Sequence, residues 1–232
     1  MEVEYGETWV YESIVGALPG VDLPDRVAVA IQLAAFEAAI LVVAAVYGLW
    51  TAVPAGTAAV AVAAAGSWFM LRYSRETRTL KTPPAYRQVL FGSSIEVVLG
   101  VVAFVALITY LFVYDPATTG ESLVTELFGP KPPPLAVGLA LLVLWDVVYR
   151  IGTCWWASVA SLWRAYRYAF DADETRRLVA LDARNVGFAA VQLLFVPFVA
   201  DRPLLLWALC GHVLAVACVS GLAIVRQRAV AG

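Results

Sequence analysis

Lysine is almost absent. Lys81 and Lys131 are the only two in 232 residues, against fourteen arginines. Both fall between apolar segments, so no membrane helix carries the lysine that a retinal Schiff base needs. Histidine occurs once, at His212. One imidazole excludes haem ligation by paired histidines and leaves no metal-ligand cluster. The three cysteines, Cys154, Cys210 and Cys218, form no CxxC. That gives neither a zinc site nor a disulfide framework. There is no phosphate-binding P-loop and no dinucleotide fingerprint. A net charge of −2 offers no basic field to a nucleic acid. No cofactor and no metal is expected.

Charge of either sign is scarce, at 15% of residues, while 62% are hydrophobic. With a mean hydropathy of +0.79, the chain lies outside the range of soluble domains and reads as a polytopic membrane protein. The expected fold class is all-α, a bundle of six transmembrane helices preceded by an N-terminal interfacial segment. The excess of Arg over Lys, with abundant Ala and Val, resembles membrane proteins of halophilic archaea. Glu2, Glu4, Glu7 and Glu12 leave no basic start, so the opening segment does not read as a signal peptide.

Residues 1–25 form the cytoplasmic or interfacial segment. There Val10, Ile14 and Leu18 recur every four residues, the spacing of a short helix lying at the interface or capping the bundle. Residues 26–228 form the membrane domain, with spans expected at 26–50, 54–73, 88–114, 135–163, 178–200 and 204–225. The second span carries Gly56, Ala59, Ala63 and Gly66 at helical spacing, which lets neighbouring backbones approach and places it inside the bundle as scaffold. The fourth is read as one helix. Splitting it at Gly152 would leave pieces shorter than the ~20 residues a crossing needs. Trp155, Trp156 and Trp163 are expected to mark its exit from the lipid, with Arg164 and Arg167 beyond.

Basic residues fix the expected orientation. Arg72, Arg75, Arg78, Arg164, Arg167, Arg176 and Arg177 lie in the loops after the second and fourth spans, whereas the opposite side holds only Lys131 and Arg202. Both termini are therefore expected in the cytoplasm of a cell-membrane protein. The same seven arginines are candidate contacts for anionic lipid or for an acidic partner. Oligomerisation or a partner subunit is compatible with the sequence. A faint repeat, Glu76-Thr77-Arg78-Thr79-Leu80 against Glu174-Thr175-Arg176-Arg177-Leu178, suggests a duplicated hairpin.

The informative residues are polar ones at membrane depth, because such groups are costly there and mark function or pairing. Asp146 and Arg150 stand four apart, on one helix face, and are expected to pair. Counting about 1.5 Å per residue from the nearest interface puts Glu37, Glu96, Asp146, Gln192 and His212 roughly 12–18 Å deep, near the midplane. They are expected to converge on the fourth helix. Gly92 and Gly100 leave the Glu96 face bare. Three acids face one permanent base, so at least one carboxyl must be neutral, reach water or bind a cation.

These features favour a small transporter or channel for a proton or cation, with Glu37 and Glu96 carrying the exchangeable charge. Asp146 and Arg150 would act as a gating pair, and Gln192 and His212 would line the path. The alternative is a non-catalytic membrane subunit whose polar core fixes helix packing. An enzyme is not expected. Six spans with a late histidine match rhomboid-type intramembrane proteases, but Gly152-Thr153-Cys154 is not their GxSG nucleophile motif.

Overall fold

The computed structural model describes Trp9 and residues 23–231. The expected interfacial helix at Val10–Leu18 lies outside the described residues. Every regular element among the described residues is helical, and six helical stretches are long and apolar enough to cross a membrane.

Helix α1 (Asp25–Tyr47) ends at Gly48, whose φ of 71° allows its N–H to close back on the Ala44 carbonyl; only glycine adopts that conformation without strain. A single 3₁₀ turn leads into α2 (Val53–Thr79), with Pro54 in its first turn. There the missing proline N–H costs nothing. α2 runs six residues past the expected boundary at Tyr73. An Arg72–Glu76 ion pair of 2.7 Å holds its last turns, and Pro83-Pro84 ends any continuation.

The third span is not one helix. α3 (Pro84–Phe91) stops at Gly92-Ser93-Ser94, and Ser94 adopts a positive φ of 54°. α4 (Ile95–Thr109) then starts afresh and passes through a π turn at Tyr110–Tyr114 into α5 (Asp115–Thr119). Ser93 sustains the break by donating its hydroxyl to the Val89 carbonyl, 2.8 Å away. Such local side-chain bonding competes with the helix ladder. A short helix, α6 (Leu123–Phe128), is capped by Ser122, whose Oγ accepts from the Thr125 N–H at 3.1 Å.

α7 (Pro134–Arg167) is continuous through Gly152 for 34 residues. α8 (Ala172–Val191) is capped by Asp171, which accepts from the Glu174 N–H at 2.8 Å. Its span then tightens into a 3₁₀ turn at Gln192–Phe195 before α9 (Val196–Val199). Pro197 explains the change, since it cannot donate to a helical ladder and its ring crowds the preceding turn. α10 (Pro203–Ala231) completes the bundle. The two segments of the apparent repeat differ in structure. The first closes α2, whereas the second opens α8.

α7 is the axis of the fold, packing against α1, α2, α3, α4, α8 and α10. α2 lies inside the bundle, with Ala59, Ala63 and Gly66 buried. Large apolar side chains point outward instead: Val46 is 68% exposed, Val102 63%, Leu214 65% and Trp207 75%. Asp146, Arg150, Arg164 and Asp182 are buried within. Apolar outside with charge inside is the arrangement for a lipid solvent.

Candidate functional site

The polar interior is stacked in layers along α7. In the first, Asp146 Oδ1 meets Arg150 Nη2 at 2.6 Å. The other carboxylate oxygen accepts from Gln32 Nε2 of α1 at 3.1 Å, and Gln32 Oε1 accepts from the Ser67 hydroxyl of α2 at 3.4 Å. Arg150 also points at the Met70 sulfur, 3.3 Å away. Gly66 makes the guanidinium's seat. A Cβ there would overlap Arg150 Cδ and lie 2.8 Å from Phe188 Cζ. Three helices thus close around one ion pair, and its hydrogen bonds offset part of the cost of burial.

The second layer is the α4–α7 crossing. Gly100 and Gly152 allow it, because a Cβ on Gly152 would sit 3.1 Å from the Gly100 nitrogen and 3.4 Å from the Glu96 carbonyl. Glu96 stands in the first turn of α4 and is fully buried. Its carboxylate meets no other described residue in a hydrogen bond and has only its own backbone N–H nearby. Glu96 stands just past the break at Gly92–Ser94, at the start of α4, within the third span. The positive end of the α4 dipole lies beside it.

The third layer is apparent only in the folded chain. Arg164 and Asp182 are 2.7 Å apart and both side chains are wholly buried. Arg164 donates to the Tyr86 hydroxyl at 2.7 Å and stacks 4.9 Å from that ring's centre. With its amide oxygen turned toward the guanidinium, Gln227 accepts from Arg164 Nη2 at 2.6 Å and Nε at 3.1 Å. The Tyr73 hydroxyl links Tyr86, at 3.3 Å, to Ser161, at 2.9 Å. Trp9 packs on Tyr73 and Phe91 at this end of the bundle. Between these layers Asn185 donates to the Cys154 carbonyl at 3.0 Å and to Ser158 at 3.1 Å.

At the end remote from the arginine-rich loops, Arg202 bridges Asp115 at 3.0 Å and Glu126 at 3.2 Å. The Arg202 bridge to Asp115 ties the third span to the last hairpin, and Asp115 also accepts from the Leu123 N–H at 2.6 Å, which anchors the start of α6.

The expected residues are therefore brought to several places, not one. Asp146 and Arg150 pair as expected. Glu37 does not join them. It accepts from Thr57 at 2.8 Å on the side of the α1–α2 hairpin. Gln32 takes the inward position, because five residues turn an α-helix by about 140° from it to Glu37. Gln192 and His212 line a separate apolar chamber. Arg164 is no surface contact for lipid, being buried against Asp182. The helix stays packed beyond the tryptophans, and Trp156 donates inward to the Val89 carbonyl at 3.1 Å. Arg72, Arg75, Arg167, Arg176 and Arg177 are exposed and Arg78 is half-buried. Several have acid partners: Arg72 with Glu76, Arg75 with Asp25, and Arg176 with Asp173. Arg184 also bonds Glu76.

The six apolar spans and the buried ion pairs define a multi-pass helical membrane protein. More narrowly, the chain belongs to DUF7530, described as a family of unknown function, whose model matches residues 4–223. No curated protein and no solved structure matches the chain.

Proposed function

We propose that the protein is a small transporter of the cell membrane, coupled to a proton or cation, with both termini in the cytoplasm. Glu96 is its exchangeable carboxylate. The observation that carries this reading is the contrast between Glu96 and the other buried acids. Asp146 and Asp182 each hold a guanidinium at 2.7 Å or less, whereas the Glu96 carboxylate has no partner on any other described residue. The group also sits at a break in its span. Interrupted helices beside a charged group are a recurrent design in secondary transporters, since the freed backbone binds ions and can move. The π turn at Tyr110–Tyr114 and the 3₁₀ turn at Gln192–Phe195 add further points of adjustment.

In this reading Asp146 and Arg150 form a fixed strut beside the site. The exposed Arg72, Arg75, Arg167, Arg176 and Arg177 meet anionic head groups on the cytoplasmic face. The second reading is a non-catalytic subunit, supported by the satisfied networks around Asp146–Arg150 and Arg164–Asp182. Flux in proteoliposomes separates the two. An imposed pH or cation gradient should drive flux through the wild type and none through Glu96→Gln. Absence of wild-type flux across protons, sodium and potassium would favour the subunit.

A further inference from the structure

Besides the ion pairs, the bundle forms a half-open chamber of about 630 Å³ between α1, α2, α4, α7 and α10. That volume lies within the roughly 300–1,000 Å³ of small-molecule sites. It reaches from the hairpin turn at Leu49 and the short helix at Leu123–Phe128 inward to Val148 and Ile151. Among the described residues, no acidic, lysine or arginine side chain lines it. At the inner end stand two polar groups, Gln192 and His212. Gln192 is wholly buried, and its amide meets only the Cys154 sulfur, a weak contact. Neither atom of its amide has an oxygen or nitrogen partner among the described residues, and neither does His212 Nε2. Buried amides are rarely left so, because an unmade bond costs the full desolvation of the group.

We propose that this chamber binds an uncharged hydrophobic molecule bearing one hydroxyl or carbonyl group, held polar end inward by Gln192 and His212. The apolar wall takes the body of the ligand, and the amide and imidazole take its polar group. The lack of a charged wall residue excludes an ionic head group, which would carry an unpaired charge into a low dielectric. The depth of the polar pair excludes an ordinary membrane lipid. Gln192 lies eight residues from the turn at Ala200, roughly 12 Å along a helix, whereas a lipid keeps its head group at the interface. The site does not depend on the transport reading, since Glu96 does not line it.

The test uses the full-length protein in phosphatidylcholine vesicles and a hexadecanol analogue with a diazirine next to its hydroxyl. Photolabelling should saturate and map to residues around Gln192 and His212. Excess hexadecanol should compete, and hexadecane should not. Gln192→Leu removes the amide with little change of volume. It should weaken labelling about tenfold, the effect of one lost hydrogen bond, while thermal stability is kept. Ala208→Phe, which fills the chamber, should abolish labelling. Non-saturable labelling at interfacial Trp50 and Tyr114, equal competition by hexadecane, or unchanged labelling of Gln192→Leu would each overturn the proposal.

Discussion

Gly66 on α2 and Arg150 on α7 are packed so closely that a methyl group on the glycine would overlap the arginine Cδ and lie 3.0 Å from its Cβ. The absence of one side chain makes room for a fully buried arginine. Gly66→Ala should therefore destabilise the protein by about 1–3 kcal/mol, the usual effect of overfilling a packed core. Gly138→Ala on α7, where a Cβ meets nothing within 4 Å, should be neutral or slightly stabilising. Thermal unfolding in detergent compares them.

The Arg164–Asp182 pair gives a sharper energetic expectation. Arg164→Ala leaves Asp182 buried without its counter-charge and should cost about 3–5 kcal/mol. Replacing both partners, as Arg164→Met with Asp182→Leu, should recover most of that loss, since the double change strands no charge. Equal instability of the single and double variants would show that the surrounding Tyr86 and Gln227 network, not the charge pair, carries the energy.

The α4–α7 crossing depends on two glycines in register. Gly152→Leu should push α4 away from α7, because even a Cβ there reaches the Gly100 backbone at 3.1 Å. The variant should express poorly or unfold at lower temperature, while Gly211→Leu on α10, in open space, should behave as wild type.

Orientation is checked by labelling. A reporter fused after Gly232 should lie on the cytoplasmic side. A cysteine at the exposed Thr119 should react with an impermeant maleimide from outside intact cells. Thr119→Cys protected outside, with the reporter also external, would invert the topology.

Much of the architecture could be read before folding because lipid imposes simple lengths. The apolar runs mark six spans, and a four-residue spacing is enough to predict that Asp146 meets Arg150. Depth can also be counted along a helix. Which face of α1 points inward is set only by packing, and that is why Glu37 is expected to converge on α7 while Gln32 takes the inward position. The Arg164–Asp182 pair is hidden in the sequence for a related reason. Both residues fall where basic loops and helix ends are expected, and only the continued packing of α7 against α8 and α10 draws them inside. The break before Glu96 did have a sequence signal in Gly92-Ser93-Ser94, a cluster that favours local turns over helix. The apolar length of the third span concealed it.

The most direct test of the central claim is whether Glu96 itself exchanges a proton. Infrared difference spectra between acid and alkaline buffer, recorded on reconstituted protein, report carboxyl protonation. A carboxyl C=O band should appear that is absent in Glu96→Gln and retained in Asp146→Asn. A spectrum that Glu96→Gln leaves unchanged would contradict it.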